Sequence, residues 1–249
     1  MNAIEIENLT HRFADGTLGL DGITLMIRKG DLVVIAGPNG SGKTTLLRHL
    51  NGLLLPERGS VVVAGIRVTE DVAMARRKVG MVFQDADSQI VGETVYDDAA
   101  FGPENLCLEK LEIKRRVHSA LREVGMLGLS DRRPHVLSGG EKRRLAIAGV
   151  LTMEPEIIVF DEPFSSLDYH GVRQVLRQIL NLHHSGRTIL LATHDLEKVI
   201  AYADRLIIMN RGKIVRDGPP VDIAKDVEQF GVRTPRAIRE GGEFESWMH

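Results

Sequence analysis

The 249-residue sequence predicts an α/β fold in which a mostly parallel sheet is flanked by helices. Short apolar runs of strand length alternate with helical stretches, as in stacked βα units. A glycine-rich segment joins the apolar run 32–36 to a predicted helix over 42–50. A mostly helical pattern over about 85–154 interrupts the alternation, and the strand pattern resumes at 157.

The elements follow from local patterns along the chain. The segments 3–7 and 23–27 predict two strands around a turn at Asp15-Gly16. Further strands are predicted at 32–36, 60–64, 79–83, 157–160, 188–191 and 205–208. Inside the helical region, one helix is predicted from the spacing of Leu111, Val117, Leu121 and Val124, and another from Ser138 to about Thr152.

Composition and charge exclude several classes of protein. There are 32 basic and 34 acidic side chains, a net charge of -2, so no overall field attracts nucleic acid or an anionic membrane. The single cysteine, Cys107, cannot form an intrachain disulfide, which fits a reducing compartment. The N-terminal segment lacks the pattern of a signal peptide, and no apolar run is long enough to span a bilayer. We therefore expect a cytosolic protein unless a partner holds it at a membrane.

The segment Gly37–Thr44 has the glycine spacing of a phosphate-binding loop between a strand and a helix. Glycines allow successive backbone N–H groups to point at phosphate oxygens, and the following helix directs its positive end there. Lys43 would neutralise the β- and γ-phosphates, and the Thr44 hydroxyl would contact Mg²⁺. We interpret the segment as a nucleoside triphosphate site.

Two acids, Asp161 and Glu162, close the apolar run 157–160. We expect this strand to lie beside the strand 32–36, so that its end reaches the same crevice. Asp161 would then hold Mg²⁺ directly or through water. Glu162 would act as the general base that polarises the attacking water.

Two further polar side chains follow predicted strands. Gln84 follows 79–83 and could reach the metal or the water, and His194 follows 188–193 and could contact the γ-phosphate. The neighbouring His183 and His184 are interpreted as solvated, because adjacent residues on a helix point in different directions.

The segment 137–141 predicts a helix that starts at a serine cap and leaves two glycines bare. Its four polar or glycine positions are Ser138, Gly139, Gly140 and Glu141. This is either a second phosphate-binding helix end or a plain helix N-cap without a ligand. One γ-phosphate has little use for two such ends in a single subunit, so the first alternative requires a second subunit.

Together these residues resemble the ATP-binding cassette (ABC) ATPases over nearly the whole chain. Six motifs of that family appear in order: Walker A (Gly37–Thr45), the glutamine loop (Gln84), the signature (Leu137–Glu141), Walker B (ending at Asp161, with Glu162), the D-loop (Ser165–Asp168) and the switch histidine (His194).

The resemblance implies a P-loop NTPase core, an antiparallel β subdomain and a helical signature subdomain over about 85–154. It implies a nucleotide-binding domain over 1–218 and a short appendage over 219–249 that can add a dimer contact. ATP and Mg²⁺ are the implied cofactors. The implied nucleotide contacts are Phe13, Gly37, Pro38, Asn39, Gly40, Ser41, Gly42, Lys43, Thr44 and Thr45.

The same resemblance implies roles for the remaining motif residues. Catalysis is implied for Glu162, His194, Lys43 and Gln84, and Mg²⁺ binding for Thr44, Gln84 and Asp161. It also implies a head-to-tail dimer with a second copy or a sibling ATPase. In that dimer, the signature of one subunit faces Walker A of the other, and Asp168 of the D-loop lies at the interface.

A narrower resemblance connects the chain to the energy-coupling-factor (ECF) importers of vitamins and of cobalt or nickel. The strings that carry it are 82–89, 94–103 and 142–149. It implies a transmembrane coupling component, a substrate-binding membrane component, a place at the cytoplasmic face of the membrane and no nucleic-acid partner. Four acids near the glutamine loop could assist the coupling contact: Asp85, Asp87, Asp97 and Asp98. The chain departs from the subfamily pattern at Ala86 and at Val91-Gly92.

Two other classes stay open at this point. One is the cassette of another ABC importer, and the other is a soluble ABC ATPase of the iron–sulfur assembly type. A GTPase is disfavoured, because the chain has no guanine-reading Asn-Lys-x-Asp string. The transported solute cannot be read from this subunit.

Overall fold

The computed structural model describes residues 1–248 of the chain. Within that range the strands are β1 (Asn2–Arg12), β2 (Leu18–Arg28), β3 (Leu32–Ala36), β4 (Arg58–Val63), β5 (Ile66–Arg67), β6 (Val79–Val82), β7 (Ile157–Asp161), β8 (Thr188–Thr193), β9 (Arg205–Asn210) and β10 (Lys213–Gly218). The α-helices are α1 (Lys43–Leu50), α2 (Val72–Lys78), α3 (Val95–Asn105), α4 (Lys110–Glu123), α5 (Gly139–Leu151), α6 (Tyr169–His184), α7 (Pro220–Ile223) and α8 (Arg236–Arg239).

The strands form two sheets. The four-stranded antiparallel sheet has the order β2-β1-β4-β5, and the six-stranded sheet has the order β10-β9-β3-β8-β7-β6. In the larger sheet every neighbouring pair is parallel except β10 with β9. The predicted α/β class, with a mostly parallel sheet and a separate antiparallel sheet, is confirmed. The short elements β5, α2 and β10 were not predicted.

One predicted neighbour relation is wrong. β7 does not lie beside β3, because β8 lies between them and pairs with both. The chain leaves β7 through α6 and returns as β8, and this crossover fills the position next to β3. The end of β7, where Asp161 lies, is therefore two strand spacings, or about 10 Å, from the end of β3. The residues that follow β3 must span this distance to reach Asp161.

The six-stranded sheet separates two hydrophobic cores. Side chains of β3 alternate between them: Val33 and Ile35 pack with α1 and the antiparallel sheet, whereas Leu32 and Val34 pack with α3 to α6. All five residues of β3 are buried, as its uninterrupted apolar run predicts. Helix α1 is thus enclosed between the two sheets, and its N-terminus lies at the carboxyl ends of the parallel strands.

Helices α3, α4 and α5 pack on one another and form the region inserted between β6 and β7. On α4, Val117 and Leu121 are fully buried, as predicted. Leu111 is 84% exposed, so it does not share the buried face of this helix with Val117 and Leu121. The buried face continues from Val117 to Ile113, four residues earlier, whereas Leu111 lies six residues earlier and on another side of the helix.

His183 is not solvated as predicted. Its side chain is 18% exposed, and its Nε2 lies 2.8 Å from the carbonyl oxygen of Gly30 and 3.2 Å from an oxygen of Asp204. The last turn of α6 therefore meets the segment that leads into β3. A pattern on α6 alone cannot reveal this contact, because both partners come from distant parts of the sequence.

The residues after β10 pack on the core that contains helices α3 to α6. Ile223, Val227 and Val232 are buried in it. Farther along, the backbone N–H of Arg236 donates to Glu197 at 2.8 Å, and the Trp247 ring lies 4.9 Å from that of Tyr169. Across residues 1–248, none of the helices combines the length and apolar character that crossing a bilayer requires.

Candidate active site

The phosphate-binding loop runs from the end of β3 to the start of α1. Helix α1 begins after Gly42, which has φ 103°, and no side chain caps its N-terminus. A Cβ on Gly37 would lie 2.2 Å from the carbonyl oxygen of Met209, and one on Gly42 would lie 2.9 Å from that of Gly19. The glycines are therefore required by backbone geometry. The uncapped N-terminus of α1 is thus directed at the space beyond the carboxyl ends of the parallel strands.

Lys43 folds back over this loop. Its side chain is 6% exposed, and Nζ donates to the carbonyl oxygens of Gly37 at 2.7 Å and Pro38 at 3.2 Å. Burial lowers the pKa of Lys43, and the carboxylates of Glu162 and Asp161 partly oppose that shift. The ammonium group is thus held against the loop, where the negative charge of a bound phosphate would offset the cost of its burial.

Ser41 gives independent support for an anionic ligand. Its hydroxyl is buried in the loop, and among residues 1–248 it has no hydrogen-bond partner. A buried hydroxyl without a partner is costly, so such groups normally have one. A phosphate oxygen on this side of the loop would satisfy it.

Asp161 and Thr44 meet across the two strand spacings described above. The Thr44 hydroxyl donates to Asp161 Oδ1 at 3.0 Å, and Asp161 is 3% exposed. Burial raises the pKa of Asp161, and the bond from Thr44 opposes the rise. A hydroxyl and a carboxylate oxygen at this spacing are the hard ligands that Mg²⁺ prefers, so the pair fits a magnesium ion. Across the described residues, no cluster of three or more His, Cys, Asp and Glu side chains could hold a metal alone.

Glu162 lies between Lys43 and His194. Its Oε1 is 2.9 Å from His194 Nδ1 and 3.8 Å from Lys43 Nζ. The Glu162 side chain is 10% exposed, whereas that of His194 is 58% exposed. Glu162 has φ 48°, a left-handed conformation that few non-glycine residues adopt and that often occurs at functional sites. This backbone geometry turns the carboxylate away from the β7 ladder toward the loop.

Most of these groups line one cavity of about 520 Å³, whereas the predicted site residues Gly37, Pro38 and Asp161 lie behind its wall. Its lining residues are Phe13, Thr17, Leu18, Gly19, Asn39, Gly40, Ser41, Gly42, Lys43, Thr44, Thr45, Gln84, Glu162 and His194. The structure therefore brings together most of the predicted phosphate-loop residues, the predicted catalytic residues and Phe13. Thr17, Leu18 and Gly19 were missed by the sequence analysis.

Phe13 stands at the mouth of this cavity and is 38% exposed. A Cβ on Gly19 would lie 2.6 Å from the Phe13 ring, so Gly19 makes room for it. The ring is held at its other side by His11, at 4.9 Å between centroids. The predicted turn at Asp15-Gly16 was the available signal that 17–19 would lie beside Phe13, because a hairpin brings its two strands together.

The signature segment does not line the cavity. Ser138 caps α5: its hydroxyl accepts from the N–H of Glu141 at 3.3 Å, while Glu141 accepts from the N–H of Ser138 at 2.8 Å. That hydrogen bond lowers the pKa of Glu141. Gly139 is exposed and lies next to Leu167 of the D-loop. The segment thus forms a complete capping box on the surface of its own chain.

Asp168 has a clear local role as well. It caps α6, accepting a hydrogen bond from the N–H of Gly171 at 2.7 Å. The D-loop and the signature are therefore neighbours, each at the start of a capped helix.

Arg143 was quoted in the sequence only as part of a string, and its position was not recognised. It is 3% exposed and donates to the carbonyl oxygens of Phe83 and Gln84, the latter at 2.6 Å. No local pattern indicates this contact, because it joins helix α5 to a segment about 60 positions earlier in the chain.

The four acids near Gln84 differ in availability. Asp98 is 7% exposed and accepts from the N–H groups of Val91 and Gly92 at 2.8 and 3.0 Å, so its expected contact with a partner is wrong. A Cβ on Gly92 would lie 2.2 Å from the backbone nitrogen of Asp98, which explains the glycine there. Asp97 belongs to the capping box of α3, and Asp87 accepts from Lys142 at 2.6 Å. Asp85 is exposed.

A second cavity, of about 420 Å³, lies between β6 and the helical region. Its walls include Met81 and Phe83 on one side and Val150 and Met153 on the other. Three of its lining side chains are exposed apolar groups: Leu53, Val91 and Phe101. We call this cavity the apolar groove.

Comparison with known proteins adds the family context. Residues 20–165 match the family model described as ABC transporter. The energy-coupling factor transporter ATP-binding protein EcfA of Methanocaldococcus jannaschii is 44% identical over 95% of this chain and 87% of its own length. The protein of the same name from Carboxydothermus hydrogenoformans is 44% identical over 98% of this chain and 91% of its own.

Solved structures agree. The structure of cbiO1 from Clostridium perfringens, described as part of the ABC transporter complex cbiONQ, has a TM-score of 0.82 and 35% identity, covering 96% of this chain and 97% of that one. The dimeric structure of MJ0796, a bacterial ABC transporter cassette, has a TM-score of 0.77 and 27% identity, covering 87% and 98%.

Proposed function

This chain belongs to the family of ABC transporter ATPases, and from that membership we propose that it is the ATP-hydrolysing subunit of an ECF-type importer at the cytoplasmic face of a membrane. One observation carries the proposal. The cavity brings the phosphate-binding loop together with Gln84, Glu162 and His194, yet no signature residue lines it. The signature, exposed elsewhere on the chain, is then free to contact the nucleotide of a second ATPase subunit.

ATP binding rests on the uncapped start of α1. Loop N–H groups, the Ser41 hydroxyl and Lys43 would receive the phosphates, and Lys43 would exchange its carbonyl contacts for phosphate oxygens. Phe13 would stack on the adenine at the mouth of the cavity. Thr44, Asp161 and Gln84 would hold Mg²⁺, which supplies positive charge to the phosphate oxygens.

Hydrolysis rests on Glu162. Its carboxylate would accept the proton of the attacking water, and His194, whose Nδ1 lies 2.9 Å from Oε1, would help to orient it. Lys43 Nζ lies 3.8 Å from the same carboxylate oxygen and so faces the side on which the phosphate would bind. The rest of the catalysis is positioning and charge stabilisation by groups that are already in place.

The exposed signature would complete the cavity of a second subunit. Its N-cap is satisfied internally by Ser138 and Glu141, so Gly139 and Gly140 can approach a γ-phosphate closely while the helix end keeps its cap. ATP would therefore join two subunits head to tail, either two copies of this chain or this chain and a sibling, with Asp168 at their interface.

The apolar groove is the surface through which we propose that this chain contacts the transmembrane component. It would bind a coupling helix of that component, because the exposed side chains of Leu53, Val91 and Phe101 offer an apolar surface for a helix. Asp85, an exposed acid next to Gln84, would pair with a basic residue of that helix. The names of the relatives support an energy-coupling-factor assembly. The substrate-binding membrane protein, and a vitamin or a cobalt or nickel ion as the cargo, are proposed from the resemblance of the sequence to ECF importers.

The test is a pull-down of the tagged full chain from native membranes, with identification of the captured subunits. We expect a transmembrane coupling protein and a small substrate-binding membrane protein. A permease pair fed by a periplasmic binding protein would instead indicate another ABC importer. A cytosolic complex without membrane proteins would indicate the iron–sulfur assembly type.

A matched pair of variants tests the groove in the same assay. Phe101→Asp places a charge in it, and we expect capture of the coupling protein to be lost. Leu111→Asp is the control, since Leu111 is 84% exposed on α4 outside the groove, and capture should persist. Equal capture by both variants would contradict the proposed use of the groove.

A further inference from the structure

Arg143 connects three of the motifs through its guanidinium group. It lies on α5, five residues after Ser138, and donates to two successive backbone carbonyls, those of Phe83 and Gln84. Its Nη2 is also 3.5 Å from Ser165 Oγ. Ser165 Oγ in turn donates to the carbonyl oxygen of Glu162 at 2.9 Å. One side chain thus joins the signature helix to the glutamine loop and to the residue proposed as the general base.

The Arg143 side chain makes its contacts in a buried position, 3% exposed. The planar guanidinium fixes the two carbonyls in one arrangement, which a lysine cannot do. Burial lowers the pKa of Arg143, and Asp85 and Asp161 oppose that shift only through attraction at longer range. Two backbone carbonyls are its closest acceptors, and losing them would leave a buried charge without those hydrogen bonds. Helix α5 and the Gln84 segment must consequently move together.

The two ends of this connection belong to different ATP sites. In the head-to-tail dimer proposed above, on which this inference rests, the N-terminus of α5 contacts the partner's ATP. Gln84 and Glu162 face the ATP bound by their own chain. A displacement of α5 when the partner's site empties would pass through Arg143 to the catalytic groups of this chain.

We propose that Arg143 is a positioning residue that couples the two ATP sites of the dimer. Its guanidinium transmits occupancy of the partner's site to Gln84 and, through Ser165, to Glu162. Coupling of this kind appears as cooperativity, with a Hill coefficient that can approach the number of sites, about 2 here. Arg143 itself does not line the nucleotide cavity, so binding of ATP to one subunit does not depend on it.

The experiment measures ATPase rate against ATP concentration for the full chain, in the assembly that the pull-down returns. Wild type should show a Hill coefficient clearly above 1. Arg143→Gln should reduce it to about 1, with a larger loss in kcat than change in KM. Arg143→Lys keeps the charge but not the two-carbonyl contact, and it should lower the Hill coefficient as well. Ser165→Ala removes only the branch to Glu162 and should give a smaller reduction.

The control is Arg205→Gln. Arg205 also joins separate elements, through Asp217 and the carbonyl oxygen of Met26, but it touches none of the six motifs. It should lower the thermal midpoint and leave the Hill coefficient at the wild-type value. A Hill coefficient of 1 in wild type would overturn the proposal. So would wild-type cooperativity in folded Arg143→Lys, or an equal loss in Arg205→Gln.

Failure of this inference can be distinguished from failure of the dimer. Light scattering on the Glu162→Gln chain with ATP reports whether the dimer forms at all. A dimer with unchanged cooperativity in the Arg143 variants would reject the coupling alone. A chain that stays monomeric with ATP bound would reject the head-to-tail arrangement itself.

Discussion

Helices α1 and α5 both direct an N-terminus at a proposed nucleotide site, but their N-termini are capped differently. α1 has no side-chain cap, and beside it lie the buried ammonium of Lys43 and the Ser41 hydroxyl without a partner in residues 1–248. α5 has a reciprocal capping box made by Ser138 and Glu141. The chain itself provides no cap for the first end, whereas it caps the second with its own side chains.

This difference suits the two roles. A permanent nucleotide site benefits from groups that only phosphate can satisfy, because binding then gains the full value of those contacts. A contact that forms and breaks in each cycle should leave no unsatisfied group behind when it opens. The helix α3 has the same kind of capping box, at Thr94 and Asp97, without bare glycines. The capping box is thus a feature that both helices share, and only α5 also has glycines, the exposed Gly139 and the half-buried Gly140, at its capped end.

The largest expected effect concerns chemistry at the α1 end. Glu162→Gln keeps the shape of the side chain but removes the general base, so turnover should fall by about 10²–10⁴-fold. ATP binding should persist, and the ATP-bound dimer should accumulate in light scattering. Wild-type turnover in this variant would contradict the role given to Glu162.

Lys43→Ala comes next. It removes a buried charge from the phosphate position, so ATP affinity should fall by about 10–100-fold, as expected for a hydrogen bond to a charged group. The measurement is titration with a fluorescent ATP analogue. Lys78→Ala is the control, since Lys78 pairs with Glu156 in a half-exposed contact outside the cavity. Equal affinities in the two variants would contradict the phosphate-loop assignment.

Ser138→Ala and Thr94→Ala separate the cap from the contact surface. Each removes an N-cap oxygen and should lower the free energy of unfolding by about 1 kcal/mol. Only Ser138→Ala, made in the Glu162→Gln background, should also weaken ATP-dependent dimerisation, because α3 has no place at the proposed interface. Loss of the dimer in both variants would mean that helix stability alone controls it.

The smallest expected effect is that of Ser41→Ala. Removing a buried hydroxyl that has no partner should leave the unfolding free energy of the nucleotide-free chain unchanged or slightly higher. ATP affinity should fall by about 10-fold, the lower end of the range for a hydrogen bond to a charged group. A clear fall in the unfolding free energy of the nucleotide-free variant would contradict the proposal that this hydroxyl finds its partner only in a phosphate oxygen.

Local patterns predicted the parts of the site that are local. The run 32–36, the glycines and the helix start at Lys43 lie together in sequence, and the structure joins them as expected. The carboxyl ends of parallel strands also brought Glu162 and His194 to the same edge. These arguments need only strand direction and loop geometry.

What the sequence could not predict depends on the order of strands and on contacts between distant segments. β8 separates β7 from β3, because the α6 crossover rather than any local pattern sets that order. Arg143 and His183 act through backbone carbonyls, which have no residue-specific signature. Asp98 looked available in the sequence but is occupied by two backbone N–H groups.

The division of each central strand between two cores has a consequence for insertions and deletions. On β7, Val159 belongs to one core and Ile158 and Phe160 to the other. A single-residue deletion there would exchange the contents of the cores and draw Asp161 back by about 3.3 Å. Substitutions on β7 alter one contact at a time, whereas a change in length alters both cores and the active site together. Natural or engineered changes in length should therefore be confined to the connections between strands.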